Sequence, residues 1–208
     1  KGGASTHLSL SMQPLSHWPT ETRASIQGIL TDIDDTLTTD GAITPDALQA
    51  LGALKASGLH VIPITGRPVG WSEPFAATWP VDAIVAENGA VALQRSAEVF
   101  DQNSPMPNHS KREQLSKIYQ QDAATRAANY ANMQQVLAQI EREVPGARRA
   151  TDSPGRETDI AIDHSEFTHL PQDAIDHAVR IMRDAGMNAT VSSIHINGWF
   201  GAHNKLEG

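Results

Sequence analysis

The sequence predicts an α/β fold in which a parallel-sheet core carries an inserted α+β domain. Residues 28–31 (GILT) form a short apolar run bounded by polar residues, which is typical of a buried strand. A helix signal covers residues 44–58, and residues 59–64 (LHVIPI) read as a second strand. Strand, helix and strand in this order and at this spacing indicate the parallel crossover unit.

The helix between these two strands has a clear beginning and end. Thr44 followed by Pro45 is an N-cap and first-turn signal, and Gly58 supplies the stop. Apolar residues keep helical spacing between these limits, namely Ala47, Leu48, Leu51 and Leu54. We therefore expect a helix of about three turns.

The next segments continue the core and then leave it. Residues 83–86 read as a strand, and residues 87–90 (ENGA) as a hairpin turn because Asn-Gly is typical of such turns. Residues 91–93 continue the hairpin. The turn-rich residues 101–110 are a candidate linker, and the alanine-rich residues 111–143 predict one long helix or two.

Strand and helix signals alternate in the rest of the inserted domain. Strand-like pieces cover residues 147–151 and 158–164, residues 171–185 form an amphipathic helix, and residues 190–196 form a last strand. In the second piece two isoleucines alternate with Asp159 and Asp163, which predicts one buried face and one wet face.

The predicted organisation has three parts. Residues 1–25 form an N-terminal tail, residues 26–95 and 196–208 form the core, and residues 96–195 form the inserted domain.

The composition of the chain indicates which partners and which cellular location to expect. The chain of 208 residues has a formal net charge of −8 and no lysine- or arginine-rich run, so we expect neither nucleic acid nor an anionic membrane as a partner. No apolar stretch approaches the roughly 20 residues that span a bilayer. The chain has no cysteine, which agrees with a reducing compartment, and the cytoplasm is the predicted location.

The strongest chemical signal is Asp32-Ile33-Asp34-Asp35-Thr36, placed directly after the first strand. Asp32 and Asp34 can converge on one hard divalent cation such as Mg²⁺. A carboxylate can also attack phosphorus while a second one protonates the leaving alcohol. Aspartates also cluster in ordinary turns. A calcium loop is rejected, because Leu37 and Ile43 stand where that loop requires glycine and glutamate.

This DxDxT pattern resembles the first signature of the haloacid dehalogenase superfamily. The resemblance implies that Asp32 is the nucleophile and Asp34 the general acid and base. It also implies that the Asp32 side chain and the Asp34 main-chain carbonyl face a magnesium ion.

Thr65-Gly66-Arg67-Pro68, at the end of the second strand, is by itself a commonplace turn. Together with the aspartate loop it resembles the second signature of the superfamily. The resemblance implies that Thr65 holds the phosphoryl group, with Gly66 and Arg67 contacting the substrate.

The ENGA segment resembles the entry to the cap domain in the Cof-like, mannosyl-3-phosphoglycerate-phosphatase-like and sucrose-phosphatase-like branch, which makes Asn88 a candidate substrate-binding residue. Lys205 is by default a surface lysine. In that branch a lysine after the cap neutralises charge on the nucleophile and the phosphoryl group. The resemblance thus implies a Rossmann-like core with a C2-type cap inserted at residues 96–195.

The acidic GDxxND-type fourth signature of the superfamily is absent, so the core is expected to be incomplete and the chain truncated at its C-terminus. Arg156 and Asp159 either face the site or lie on a solvated strand face. The nine histidines show no metal-ligand spacing and are expected on the surface or in helices.

The function expected from the resemblance is a magnesium-dependent phosphomonoester hydrolase that acts through an aspartyl-phosphate. Its substrate would be a sugar phosphate or a similar small phosphorylated metabolite. Two alternatives stay open: a non-catalytic module that binds phosphate or metal, and a phosphomannomutase-like phosphotransferase.

Overall fold

The structure is a computed structural model, and it describes residues 14–95 and 115–207. The helices are α1 (Thr20–Ala24), α2 (Pro45–Ala56), α3 (Val69–Thr78), α4 (Ala123–Glu143) and α5 (Gln172–Asp184). The strands are β1 (Gly28–Thr31), β2 (Thr38–Thr39), β3 (Ala42–Ile43), β4 (His60–Pro63), β5 (Ala83–Ala86), β6 (Val91–Arg95), β7 (Leu115–Tyr119), β8 (Arg148–Arg149), β9 (Ile160–Asp163), β10 (Asn188–Val191) and β11 (His195–Trp199). The predicted linker at residues 101–110 and half of the predicted tail lie outside the described residues.

The core sheet begins with the predicted crossover unit. Strand β1 pairs in parallel with β4, and α2 lies between them in the chain. A parallel bridge from Ile64 to Val85 leads to β5, which continues antiparallel through β6 to β7. The predicted α/β class with a parallel-sheet core is therefore confirmed.

The signals that bound α2 are also confirmed. The Thr44 side chain accepts the backbone N–H of Ala47 at 3.4 Å, and Gly58 beyond the helix end adopts a φ of +86°. A left-handed residue at this place satisfies the last carbonyls without a side-chain clash. Leu51 packs into the core.

The helix predicted at residues 111–143 is wrong at its beginning, because residues 115–119 form β7. Leu115 and Tyr119 pack against the core cluster while Ile118 is 57% exposed. Their spacing in sequence suits a helix, but the unpaired edge of β6 offers them a strand partner. The helix itself begins at Ala123, where the Asp122 side chain accepts the N–H of Thr125 at 2.9 Å.

The second sheet has the antiparallel order β10-β11-β9-β8, and α4 and α5 pack on it. We call residues 123–199 the cap domain, because they enclose a hydrophobic cluster separate from that of the core. These limits differ from the predicted insertion at 96–195, since β7 extends the core sheet and β11 continues the cap sheet to Trp199.

The wet face predicted for β9 is absent. Asp159 and Asp163 are 1% and 3% exposed. Asp163 accepts the backbone N–H groups of Glu166, Phe167 and Thr168, and Asp159 binds Arg156. Donors within the protein thus replace water around both carboxylates. For this reason the alternation of isoleucine and aspartate did not indicate a solvent-exposed face.

Core and cap meet at the turn between β5 and β6, which confirms the predicted hairpin. Glu87 and Asn88 in this turn have left-handed φ values of 49° and 56°. The Glu87 carboxylate is fully buried and accepts the N–H of Val69 at 3.0 Å in the core and those of Glu157 and Thr158 at 2.9 and 2.6 Å beside the cap sheet. One carboxylate therefore ties the two domains together.

A close backbone approach accompanies this link. A Cβ atom on Gly70 would lie 3.0 Å from the Cα of Gly155, so the first turn of α3 and the cap loop touch without side chains between them. In the described ranges no helix has the length and the apolarity that a membrane crossing requires. Strand β1 pairs only with β4 among these residues, and the expected incompleteness of the core stays a prediction.

We expect Glu87→Gln to lower the free energy of unfolding by about 2 to 4 kcal/mol, because the amide would turn a donor toward buried N–H groups that need an acceptor. Urea unfolding followed by circular dichroism measures this change. The matched control is Glu141→Gln, which removes only a surface ion pair of 2.9 Å with Arg149 and should cost under about 1 kcal/mol. Equal midpoints for the two variants would contradict the role assigned to Glu87.

Candidate active site

The aspartate loop turns sharply after β1. The carbonyl of Ile33 accepts three backbone N–H groups, from Thr36 at 3.2 Å, Leu37 at 2.9 Å and Thr38 at 3.2 Å. The Ile33 side chain is fully buried in the core, and Asp35 takes a left-handed φ of 57°. Asp32 and Asp34 stand on either side of the buried Ile33 in the sequence, and both line the cleft described below.

Lys205 lies beside the first of these aspartates. Its Nζ atom is 3.1 Å from Oδ1 of Asp32, and both side chains are nearly half exposed. The segment that carries Lys205 is anchored by Trp199, which donates its indole N–H to the carbonyl of His203 at 3.0 Å. The structure therefore brings together two residues that are 173 positions apart in the sequence.

Arg67 holds the second aspartate with a fork of hydrogen bonds. Its Nε lies 3.1 and 3.2 Å from the two Asp34 oxygens, and Nη2 lies 2.9 Å from Oδ1. Burial lowers the pKa of Arg67, but the hydrogen bonds and charge of Asp34, with smaller contributions from Asp152 and Glu166, raise it above its usual value. The guanidinium also lies over the ring of Trp71, 5.2 Å from its centre.

The residues of the predicted second signature differ in their position relative to the cleft described below. Thr65 is fully buried; its hydroxyl accepts the N–H of Arg67 at 3.0 Å, and it does not line the cleft described below. Gly66 and Asn88 do line it. A Cβ atom on Gly66 would lie 3.0 Å from Oδ1 of Asn88, so glycine lets these two residues approach closely without displacing the Asn88 side chain.

A cleft of about 620 Å³ separates the aspartate loop from the cap. Six of the seven predicted site residues line it, namely Asp32, Asp34, Gly66, Arg67, Asn88 and Lys205. The opposite wall is formed by the turn between β10 and β11, residues 190–195, together with Asn197 and Trp199. The cleft has the size of a small-molecule site.

Asp159 is hydrogen-bonded to residues of both walls of the cleft. Its Oδ2 accepts the amide N–H groups of Asn88 at 3.4 Å and of Asn197 at 3.3 Å, one from each domain. Its Oδ1 accepts Nη1 of Arg156 at 2.7 Å, and the same nitrogen donates to the carbonyl of Gly66 at 3.3 Å. Arg156 and Asp159 are therefore buried supports of the cleft, and the solvated alternative for them is wrong.

Burial controls the protonation of Asp159. The loss of hydration raises the pKa of Asp159 to about 7, and the charge of Glu87 acts in the same direction. The charge of Arg156 and its hydrogen bond oppose this rise without cancelling it. Asp159 is thus a buried carboxyl group at the core–cap junction whose pKa lies well above its usual value.

Sequence reasoning missed most of the cap wall. Asn197 and residues 190–195 carry no local signature, and their place beside the aspartates depends on the pairing of β11 with β9. The expectation for the histidines is wrong for His164, His195 and His203, which are buried outside the helices. For Asp159 a signal did exist, since Arg156 precedes it by three residues and could have marked a buried ion pair.

No three metal-ligating side chains gather anywhere in residues 14–95 and 115–207. Two oxygens of the aspartate loop nevertheless accept no hydrogen bond from these residues, Oδ2 of Asp32 and the main-chain carbonyl of Asp34. Mg²⁺ usually retains several waters and takes one or two protein oxygens plus those of a phosphate. The donors present therefore fit a magnesium ion that shares its coordination with water and substrate.

Comparison with known families agrees with this arrangement. Residues 29–172 match the model of the haloacid dehalogenase-like hydrolases, a segment that includes the aspartate loop, the Arg67 turn and most of the cap domain. The chain belongs to this family, and the resemblance expected from the DxDxT pattern is confirmed.

Individual relatives are more distant. A Streptococcus pyogenes serotype M6 protein that carries the provisional name of a phosphatase is 50% identical over 46 residues, which are 22% of this chain and 17% of that protein. A Thermoplasma acidophilum structure aligns with a TM-score of 0.62 at 14% identity, over 88% of this chain and 68% of the other. The sucrose-phosphatase of Synechocystis gives 0.56 at 15%, over 88% and 67%. The Candida albicans trehalose-6-phosphate phosphatase domain gives 0.58 at 13%, over 85% and 57%. At these identities the structures show a shared fold.

We expect the stability advantage of the wild type over Asp159→Asn to shrink as the pH rises from about 4 to about 7. The folded state keeps the Asp159 proton up to a pKa of about 7, whereas the unfolded chain releases it near 4, so rising pH favours unfolding across this interval. Above pH 7 the difference should level off.

Urea unfolding of both proteins at several pH values measures this difference. Asp173→Asn, which changes an exposed carboxyl at the start of α5, serves as the matched control and should follow the wild type at every pH. A constant difference between the wild type and Asp159→Asn from pH 4 to 8 would show that folding does not change the pKa of Asp159, and it would contradict the raised value.

Proposed function

We propose that this chain is a magnesium-dependent phosphomonoester hydrolase that acts through an aspartyl-phosphate on a sugar phosphate or a similar small phosphorylated metabolite. The observation that carries the proposal is the contact between Asp32 and Lys205 at the mouth of a cleft between two domains. A carboxylate next to a cation at a strand tip can act as a nucleophile while the cation stabilises the oxygens of the transferred group.

In the first step an oxygen of Asp32 forms a bond to phosphorus, and the bond from phosphorus to the leaving oxygen breaks. The N–H of Ile33 and the Nζ of Lys205 both hold Oδ1 of Asp32, at 2.9 and 3.1 Å, which orients the carboxylate. Oδ1 is then the attacking oxygen, and Oδ2 is left for the metal ion. In the second step water attacks phosphorus, the aspartyl bond breaks and phosphate departs.

Asp34 gives a proton to the leaving oxygen and takes one from the attacking water. For this exchange one of its oxygens must be released by Arg67, which binds both. The phosphate of an incoming substrate is a second anion that matches the guanidinium fork. We infer that substrate binding draws Arg67 toward the phosphate and frees Asp34, which then takes up a proton from solvent and passes it to the leaving oxygen.

A magnesium ion, when bound, would be held by Oδ2 of Asp32 and the carbonyl of Asp34 and would neutralise charge on the phosphate oxygens. A dedicated three-carboxylate cage is unnecessary for this ion, because the substrate supplies further oxygens.

The relatives support the substrate class. Two of the proteins with a similar fold are named for sucrose phosphate and trehalose 6-phosphate chemistry, and the sucrose-phosphatase was solved with sucrose and phosphate. A cleft of about 620 Å³ accommodates molecules of that size. The negative net charge disfavours nucleic acid and an anionic membrane surface as partners, which agrees with a small-molecule partner. The cytoplasm is the proposed location.

One observation favours the non-catalytic alternative, namely the engagement of both Asp34 oxygens by Arg67. A binding module would keep this contact when phosphate enters. A phosphotransferase would instead yield an isomeric sugar phosphate without free phosphate.

We expect Asp32→Asn to reduce magnesium-dependent phosphate release by about three orders of magnitude or more, since removal of a nucleophile eliminates the covalent path. The assay measures free phosphate from an aryl phosphate and from glucose 6-phosphate, with and without EDTA. Circular dichroism verifies that the variant is folded.

Asp173→Asn again provides the control, because this side chain is exposed on α5 and should leave the rate unchanged. Wild-type protein that binds phosphate but releases none from either substrate would favour the binding module. Formation of an isomeric sugar phosphate would favour the phosphotransferase.

A further inference from the structure

The cap turn opposite the aspartates contains a histidine with a fixed orientation. His195 lines the cleft, and its Nε2 lies 2.8 Å from Oε2 of Glu166. A carboxylate at Nε2 favours the tautomer that carries its proton there, which leaves Nδ1 as an acceptor. Nδ1 has no hydrogen-bond partner among the described residues, and this atom is not fully buried. The side chain is 4% exposed, but His195 lines the cleft, and Nδ1 is the ring nitrogen left for a ligand there.

The loop that carries Glu166 is rigidly built. Asp163, at the end of β9, accepts the N–H of Glu166 at 2.8 Å and that of Phe167 at 2.9 Å. Burial raises the pKa of Asp163, but these hydrogen bonds outweigh it and lower the pKa below its usual value. The charged carboxylate thus fixes the loop that places Glu166 behind His195.

The turn that carries His195 is equally constrained. Ser192 donates its N–H to the carbonyl of His195 at 2.8 Å, and its hydroxyl accepts the N–H of His195 at 3.0 Å. His164 joins this turn to the Glu166 loop, since its N–H donates to the carbonyl of Ile194 at 3.0 Å. The loop of Glu166 and the turn of His195 are therefore connected by backbone hydrogen bonds, as a preorganised recognition site requires.

The charges around the cleft decide which ligand group suits this pair. The cationic residues that line it are Arg67 and Lys205, and each is paired with an aspartate of the loop. The cap wall adds uncharged groups, and the side chains of Thr190 and Ser193 have no hydrogen-bond partner among the described residues. A second anionic group on the ligand would find no free cation here, whereas hydroxyl groups would find donors and acceptors.

We propose that His195, positioned by Glu166, is a specificity-determining residue that accepts a hydrogen bond from a hydroxyl of a neutral, polyhydroxylated leaving group. This role rests on the proposed phosphatase function, because that function defines which part of the ligand is the leaving group. The hydrogen bond itself is a binding contact, so it can be tested without turnover. It assigns to the cap a preference for hydroxyl-bearing phosphate esters over esters that carry a further carboxylate.

The test measures binding by isothermal titration calorimetry, with Asp32→Asn as the background so that no substrate is consumed. The ligands, each with Mg²⁺, are glucose 6-phosphate, 3-phosphoglycerate and inorganic phosphate. Glu166→Gln and His195→Phe are added separately to this background. Glu141→Gln, on the surface of α4, is the matched Glu→Gln control.

We expect each of the two variants to weaken glucose 6-phosphate binding about tenfold, the value of one well-made hydrogen bond to a ligand. Binding of inorganic phosphate should stay unchanged, because His195 belongs to the cap strand β11 and the proposed contact is made to the leaving group. The control should bind all three ligands like the background protein.

Three outcomes would overturn the inference. These are unchanged glucose 6-phosphate affinity in both variants, equal losses for glucose 6-phosphate and inorganic phosphate, and a loss confined to 3-phosphoglycerate, which would make His195 an anion-binding residue. Absence of turnover in the separate rate assay would contradict the proposed function while the binding comparison still decides the role of His195.

Discussion

The buried carboxylate of Glu87 is the constraint on which the cleft depends. Removing a carboxylate from water costs several kcal/mol, roughly, unless donors replace its hydration. Here the donors come from Val69 in the core and from residues 157 and 158 beside the cap sheet, so the carboxylate is satisfied only while the two domains are together. Glu87 also has a left-handed φ of 49°. The separation between the aspartates and the cap wall is therefore fixed at this turn.

Local sequence was sufficient for the part of the site that lies within one turn of chain. The apolar run of β1 followed by the aspartates indicates both the strand and the loop after it, and burial of Ile33 between Asp32 and Asp34 agrees with their place in the cleft. The α2 boundaries are similarly local, since a capping hydroxyl and a left-handed glycine act within a few residues. The placement of Lys205 was foreseen by resemblance to a family, and no local property of that segment would have indicated it.

The features that sequence reasoning missed all depend on distant partners. A stretch such as residues 115–119 becomes a strand because β6 has a free edge, and nothing within the stretch reports that edge. Asp159 and Asp163 occupy positions that a two-residue period assigns to solvent, yet donors from other elements surround them. His195 acquires its orientation from Glu166, 29 residues earlier in the chain. Period and propensity describe a residue's neighbours in sequence, whereas these roles are decided by neighbours in space.

Arg67 connects the electrostatics of the cleft with the proposed chemistry. Asp32, Asp34 and Asp35 line the cleft together with only two cations, so before any ligand enters, the aspartate loop repels a phosphate dianion. A bound divalent cation would reverse this local balance, after which a phosphate could compete with Asp34 for the guanidinium of Arg67. In this order Asp34, the proposed general acid, would be released only when both the ion and the substrate are present. The bidentate contact seen in the structure is thus compatible with catalysis, as the resting state of a site that becomes complete through its ligands.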